Sequence, residues 1–243
     1  MRPASDSSTL PGKRGPSNVQ CSAFTLDRLA SGPLLRNMRL AGLALPTPAD
    51  WGSLKAYLRV LDDSAPFVLL DVPHPRWLAD VDQRISVLSR LSPVIALVPT
   101  GADNSGLLSA GAVNVLNRDM CIRELAARLA AEQRWFIAAR AGGSPISPGP
   151  VPRSMHPLPL HGSQQLLMRL LVQYWRPWCC HDLCLLLGTS DQPLSRPTLR
   201  ARLVRIEPYL ARAGLTLRRS GRWGRIHYQV TETVPSTASH GRR

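Results

Sequence analysis

Two sets of residues in this chain have types and spacing that could do chemistry, and they lie far apart. The first is Asp71, near the end of the continuous apolar run Phe67–Val72. A carboxylate at the tip of a buried strand sits where doubly wound sheets place their chemistry. Ligand or modification chemistry could act there, and Mg²⁺, if used, wants clustered carboxylate oxygens. The second set is Arg196, Arg200, Arg202 and Arg205 within SRPTLRARLVRIEPYL, residues 195–210. It continues in LRRSGRWGRIHYQV with Arg218, Arg219, Arg222 and Arg225. A guanidinium is built for bidentate contact with guanine edges and with phosphate. Thr198 could bind phosphate or touch a thymine methyl. Cys179, Cys180, His181 and Cys184 form a third cluster. A structural zinc site wants a further ligand pair at defined spacing, and His156 and His161 fall in a Pro-rich stretch. These thiols therefore read as small apolar residues of a buried helix, with no metal.

The arginines need elements to aim them. Leu199, Leu203, Ile206 and Leu210 recur at spacings of 4, 3 and 4, the stripe of a helix facing a core. The arginines fall off that stripe, towards solvent or a partner. Pro208 predicts that the helix ends near Glu207 and restarts. Two helices are expected before it, Gln164–Tyr174 and Cys180–Leu187, the latter closed by Gly188 as a C-cap. Two strands are expected after it, Leu215–Arg219 and Arg225–Val230, joined by a turn at Gly221 and Gly224. Three helices followed by a basic hairpin is the layout of a winged helix. Its helix can reach base edges in the major groove, and its hairpin the backbone or a narrow minor groove. The plain competitor is a solvated basic face. Trp175 and Trp178, flanking Pro177, read as packing residues.

Charge supports a polyanionic partner. The 243 residues carry a net charge of +14, and 28 of the 30 basic residues are arginine. From Val151 onwards there are 14 basic against 4 acidic residues. Nucleic acid or an anionic membrane surface fits such an excess. The arginine count by itself fits GC-rich codon usage; its placement carries the information. No apolar run reaches 18 residues, so no membrane span is expected. MRPASDSSTLPGKRG lacks the apolar core of a secretory signal. Five cysteines without a regular framework read as reduced thiols of a cytoplasmic protein. GADNSG lacks the Lys of a P-loop, and neither GxGxxG nor GxSxG occurs. The chain reads as no enzyme, with no cofactor.

Before the arginines the pattern alternates. Strands are expected at Val19–Phe24, Phe67–Val72, Pro93–Val98 and Gly111–Leu116. Helices are expected at Leu26–Leu40 (interrupted by Gly32-Pro33, with Leu29, Leu34, Leu35 and Met38 as its stripe), Trp51–Leu61, Leu78–Leu91 and Met120–Ala139. Alternation of this kind predicts an α/β fold, a parallel sheet covered on both faces. Residues 141–161 are rich in Pro, Gly and Ser and read as a semi-extended linker. The expected organisation is a disordered arm at 1–18, an α/β domain at 19–140, the linker, a winged-helix domain at 162–231, and a disordered basic tail at 232–243.

Residues 19–137 resemble the flavodoxin-like receiver domain of response regulators. FVLLDVPHP is similar to the third strand with its phospho-accepting Asp, here Asp71. PVIALVPT is similar to the fourth strand, and SAGAVNVLNRDMCIRELAARLAA to the fifth strand and last helix. The match is degenerate. The acidic pair falls on Thr25, Leu26 and Asp27, the Ser/Thr on Val98 with Thr100 two residues on, the Lys on Arg118, the following Pro on Asp119, and the switch aromatic on Val115. Residues 195–210 resemble the recognition helix of the OmpR/PhoB family, within a likeness over 160–230. The resemblance implies a winged helix-turn-helix regulator that binds double-stranded DNA and works with RNA polymerase. Its atypical receiver would not depend on phosphate. Arg118 would neutralise Asp71 and lower its pKa. A homodimer would form through the last helix of the receiver, with Trp135 and Phe136 exposed. Two alternatives remain open: a phospho-switched response regulator using Asp71, and a protein-interaction adaptor acting on the transcription machinery.

Overall fold

A computed structural model describes residues 17–62, 65–141, 162–221 and 224–233. In chain order the elements are β1 (Ser17–Asn18), β2 (Ser22–Thr25), α1 (Arg28–Leu40), β3 (Leu43–Ala44), β4 (Ala49–Asp50), α2 (Leu54–Leu61) and β5 (Val68–Asp71). They continue with α3 (Val81–Ser89), β6 (Val94–Val98), α4 (Asn104–Ser109), β7 (Ala112–Asn117) and α5 (Ile122–Ala141). The C-terminal part holds α6 (Gly162–Gln173), β8 (Trp178–Cys179), α7 (Cys180–Leu186), α8 (Arg196–Arg212), β9 (Leu215–Ser220) and β10 (His227–Glu232).

Five strands form a parallel sheet in the order β4-β2-β5-β6-β7. Counted along the sheet's own strands this is 2-1-3-4-5, the flavodoxin-like order. The apolar runs divide by period two. Leu69, Ile95 and Leu97 pack with Leu34 and Met38 of α1 and with Leu125, Leu129 and Phe136 of α5. Val68, Leu70, Val94, Ala96 and Val98 pack with Tyr57 and Val60 of α2 and Ile85 and Leu88 of α3. Both faces are covered, so the strands read as unbroken apolar runs.

The prolines did not break the helices. α1 runs through Pro33 and α8 runs through Pro208 to Arg212. Each proline costs one hydrogen bond to the carbonyl four residues back. Those carbonyls belong to Leu29, 91% exposed, and Val204, 62% exposed. Water can satisfy them, and each ring points away from the core. Leu29 consequently leaves the expected stripe of α1, whose buried residues are Ser31, Leu34 and Met38. Helix α2 begins at Leu54, and Trp51 lies buried in the turn before it. The strand β8, which pairs with β10, and the helix α4 had no clear periodic signal.

The two halves share one apolar core. Phe24, Tyr57 and Ile85 belong to the same cluster as Leu167, Trp178, Leu186 and Ile206. Polar groups pin the seam. The Trp51 indole N–H donates to Leu185 O at 2.8 Å, Tyr174 Oη to Leu91 O at 3.0 Å, and Gln173 Nε2 to Leu61 O at 2.6 Å. Arg90 pairs with Asp182, donates to Pro177 O at 2.7 Å and lies 4.1 Å over the Trp178 ring. Gly52 has φ +85°, and a Cβ there would sit 2.0 Å from Gly188 O. Gly188 itself has no left-handed backbone; its place in the 188–194 turn leaves no room for a side chain, and this, rather than C-capping, demands glycine.

Arg84 is the most confined charge in the seam, 1% exposed. It donates twice to Asp80 Oδ2, at 3.0 and 2.7 Å, and to Ser190 O at 2.6 Å, and stacks 4.8 Å over Trp51. Arg84→Ala therefore strips a carboxylate, a carbonyl and an aromatic face at once. It is expected to cost about 3 kcal/mol and to lower a single urea transition common to both halves. Two separate transitions, in the wild type or the variant, would contradict the shared core.

Candidate functional site

Asp71 ends β5, beside the end of β2, at the point where strand order reverses. Ligand chemistry in such sheets concentrates there. Its carboxylate is fully engaged. Arg118 Nε donates to Oδ1 at 2.8 Å, and the Ser31 hydroxyl donates to Oδ2. The other Arg118 arm donates to Ala30 O at 2.7 Å, which fixes the guanidinium across the carboxylate. Thr25 Oγ1 lies 2.7 Å from Ser31 Oγ and accepts from the Asp27 N–H at 3.0 Å. Ser31 was missed in the sequence; its signal was its place on the buried stripe of α1 with Leu34 and Met38.

The residues here do not fit Mg²⁺. Asp27 is the one acid left of the expected pair, and it caps α1 by accepting from Leu29 N and Ala30 N at 3.1 and 3.2 Å. Its other oxygen pairs with Arg76 at 3.2 Å. Thr25 is bound to Ser31, and Leu26 is apolar. The guanidinium of Arg118 already takes one oxygen of Asp71 and the Ser31 hydroxyl the other. Thr100, two residues past β6, is held by Asp119: its N–H and hydroxyl both donate to Oδ2, at 3.1 and 3.0 Å.

The expected ion pair of Arg118 with Asp71 is formed. Its consequence for the pKa differs from expectation. Burial pushes Asp71 above the ordinary carboxylate value, outweighing the opposing pulls of Arg118 and Ser31.

The arginine face is organised by α8. Ser195 caps it, its hydroxyl accepting from Thr198 N at 3.3 Å and lying 2.8 Å from Thr198 Oγ1. Leu199, Leu203, Ile206 and Leu210 are buried as their spacing requires. Arg196, Thr198, Arg200 and Arg205 are exposed, and Arg202 is half-buried. Arg196 lies 2.6 Å from His181 Nε2, a contact that orients it. In the hairpin, Arg219 pairs with Tyr228 and Arg218 with Gln229. Paired residues share a face. Arg219 thus shares the face of the buried Tyr228, Val230 and Leu215, against which α8 packs, and Arg218 takes the other. Arg218, Arg219 and Arg225 are all exposed; Arg222 lies outside the described residues.

Two expectations need adjustment or detail. Trp135 is 59% exposed on α5, but Phe136 is 4% exposed and stacks on Phe67 at 5.3 Å. The apolar surface of α5 is therefore Trp135 and Ile137. Cys180 and Cys184 are buried in α7, and burial pushes the Cys184 thiol up to about 11. They pack as apolar residues.

No family model matches this chain, and no curated protein is significantly similar to it. Solved structures similar to it include an orphan response regulator of H. pylori, 19% identical, covering 50% of this chain and 99% of that one, with a TM-score of 0.32. Another is a streptococcal protein described as a redox sensor evolved from two-component response regulators, 15% identical over 86% of this chain and 99% of that one, TM-score 0.35. A third is the response regulator ChrA of a heme-sensing two-component system, 16% identical over 82% and 92% of the two chains, TM-score 0.32. These are distant likenesses, and the fold stands on the strand order described above.

The pair at Asp71 yields a pH test. Its folded-state pKa lies above the unfolded one, so the folded protein keeps a proton that the unfolded chain releases. The group's contribution to stability is full at low pH and falls as pH rises through the folded value. Removing Arg118 raises that value further. Arg118→Ala is therefore expected to cost most at neutral pH, about 3 kcal/mol, and less in acid. Urea midpoints at two pH values check it; a cost that grows on acidification would contradict it.

Proposed function

We propose that this chain is a sequence-specific, DNA-binding transcription regulator, an atypical response regulator of the OmpR/PhoB kind that works without phosphorylation. The observation that carries the reading is the Ser195-capped helix α8. Its apolar stripe is wholly buried while its arginines are open to solvent, and a basic hairpin stands beside it. In this reading the α6–β10 unit is a winged helix, with α8 in the major groove and the hairpin as its wing. Arg196, Thr198, Arg200 and Arg205 face base edges or phosphate, and Arg218, Arg219 and Arg225 the backbone or minor groove.

Independence from phosphate is supported by the Asp71 pocket. Arg118 and Ser31 already occupy both carboxylate oxygens, and the residues needed for Mg²⁺ are otherwise committed. Trp135 and Ile137 on α5 suit a homodimer contact, and RNA polymerase is the expected protein partner. The division into an α/β domain at 19–140 and a winged-helix domain at 162–231 belongs to the same proposal, as does a cytoplasmic location.

Genome-wide mapping of bound DNA supplies the site; titrations on cognate and scrambled duplexes then test the roles. Arg200→Ala is expected to cost about 1–3 kcal/mol on the cognate duplex and to relax preference at one base pair. Arg219→Ala should weaken both duplexes alike and lower the salt slope by about one. Asp71→Asn should keep wild-type affinity, with acetyl phosphate leaving no label on either protein. If neither arginine variant changes DNA affinity, the DNA-binding reading fails. If phosphorylation at Asp71 raises affinity, its phosphate independence fails.

A further inference from the structure

One flank of α8 and the first turn of α6 border an open pocket of about 550 Å³. Thr198, Arg202 and Arg205 line it from α8, and Ser163 and Gln164 from α6. No carboxylate lines it. The arginines Arg90, Arg118 and Arg169 each pair with an aspartate. Arg202 and Arg205 have no hydrogen-bond or ion-pair partner among the described residues. Arg202 is half-buried, and burial together with the like charge of Arg205 holds its pKa below the ordinary guanidinium value. A half-buried guanidinium beside a second, exposed one, with no counterion among the described residues, is an incomplete arrangement.

Gln164 points the same way. It is 8% exposed, lines the pocket, and its amide has no partner among the described residues. Buried amides are ordinarily hydrogen-bonded. The N-terminal end of the 12-residue helix α6, with its positive dipole, stands at the same place. Donors of three kinds, namely guanidinium, amide and hydroxyl, thus line one pocket.

We infer that this pocket is the seat of a phosphate group. The inference rests on the DNA-binding reading for its first source, a backbone phosphodiester of the duplex on α8; a free phosphate anion is the second source of the same chemistry. It divides α8 into three strips. Leu199, Leu203, Ile206 and Leu210 hold the core. Arg196, Arg200 and Val204 lie on the outer flank. Thr198, Ala201, Arg202 and Arg205 line the seat. Arg202, expected from sequence to read bases, becomes an anchor that carries no sequence information.

The test uses the full chain, with duplex DNA and inorganic pyrophosphate as probes. Arg202→Gln keeps the stem and removes the charge; Arg205→Gln is a second variant, with thermal unfolding to confirm folding of both. If the seat takes the DNA backbone, each variant weakens cognate and scrambled duplexes by the same factor, about tenfold at low salt, and lowers the salt slope by about one. If it takes a free anion, the wild type binds pyrophosphate, the variants lose it, and duplex affinity is unchanged. A folded Arg202→Gln that relaxes preference at a single base pair with its salt slope intact overturns the seat. So does a variant that matches wild type in both arms. The DNA-binding reading survives either result provided Arg200→Ala still loses discrimination. A wild type that binds no duplex sinks that reading alone and leaves the pyrophosphate arm to decide the seat.

Discussion

Helices α2 and α3 have protein on both sides. The sheet covers one face through Val68, Leu70 and Val94, and the helices α6 and α7 cover the other through Leu167 and Leu186. A layer buried on both faces has to answer most of its polar groups from inside, and the exceptions among the described residues include Tyr57 Oη and one nitrogen of Arg84. That requirement explains the seam. Arg84 is answered by Asp80, Ser190 O and the Trp51 face, and Trp51 in turn by Leu185 O. It also explains Gly52. A side chain there would strike Gly188 O, and the two backbones approach that closely because the layer is shared.

The same logic sorts the arginines. In the interior and along the seam three are matched, Arg118 with Asp71, Arg90 with Asp182 and Arg84 with Asp80, while Arg176 donates to Arg90 O from the exposed rim of the seam. Removing one partner of such a pair leaves a buried charge unanswered, which is why these positions bear on stability. On α8 and the hairpin the arginines among the described residues make no ion pair with a carboxylate, and His181 lies beside Arg196. Structural arginines have internal counterions; those with none face outward or into the α6–α8 pocket. The high arginine content described two populations, which composition could not separate.

Much of the fold was legible because burial on both faces leaves a simple trace. The runs at Phe67–Val72 and Pro93–Val98 became β5 and β6 within a residue of each end, and the stripe of α8 was buried at all four positions. The failures have physical causes. Pro33 and Pro208 were read as breaks because propensity was weighed without knowing that each ring faced water. Helix α2 was credited with one stripe, though Tyr57 and Val60 lie on a second flank from Leu54 and Leu58; apolar residues on two flanks are the mark of a helix covered twice. Phe136 was placed on the surface with its neighbour Trp135, yet adjacent helical positions point in different directions. Ser31 and Gln164 carried no signal beyond a polar residue where an apolar one would pack, which a single sequence cannot distinguish from noise.

The shared layer also constrains how this molecule could be controlled. The seam uses α2, α3, α6, α7 and the turn at 188–194, and it leaves the outer flank of α8 and the hairpin arginines exposed. An arrangement that hid α8 would free it by separating the halves. Here the halves already present it while joined, so separation would expose Trp178, Tyr57 and Leu186 and uncover nothing further of α8. The Asp71 carboxylate is already engaged by Arg118 and Ser31. On the proposed DNA-binding reading, an input that changes affinity acts most simply outside the seam: at the α5 surface around Trp135 and Ile137, if a second copy docks there, or at the α6–α8 pocket, by filling it.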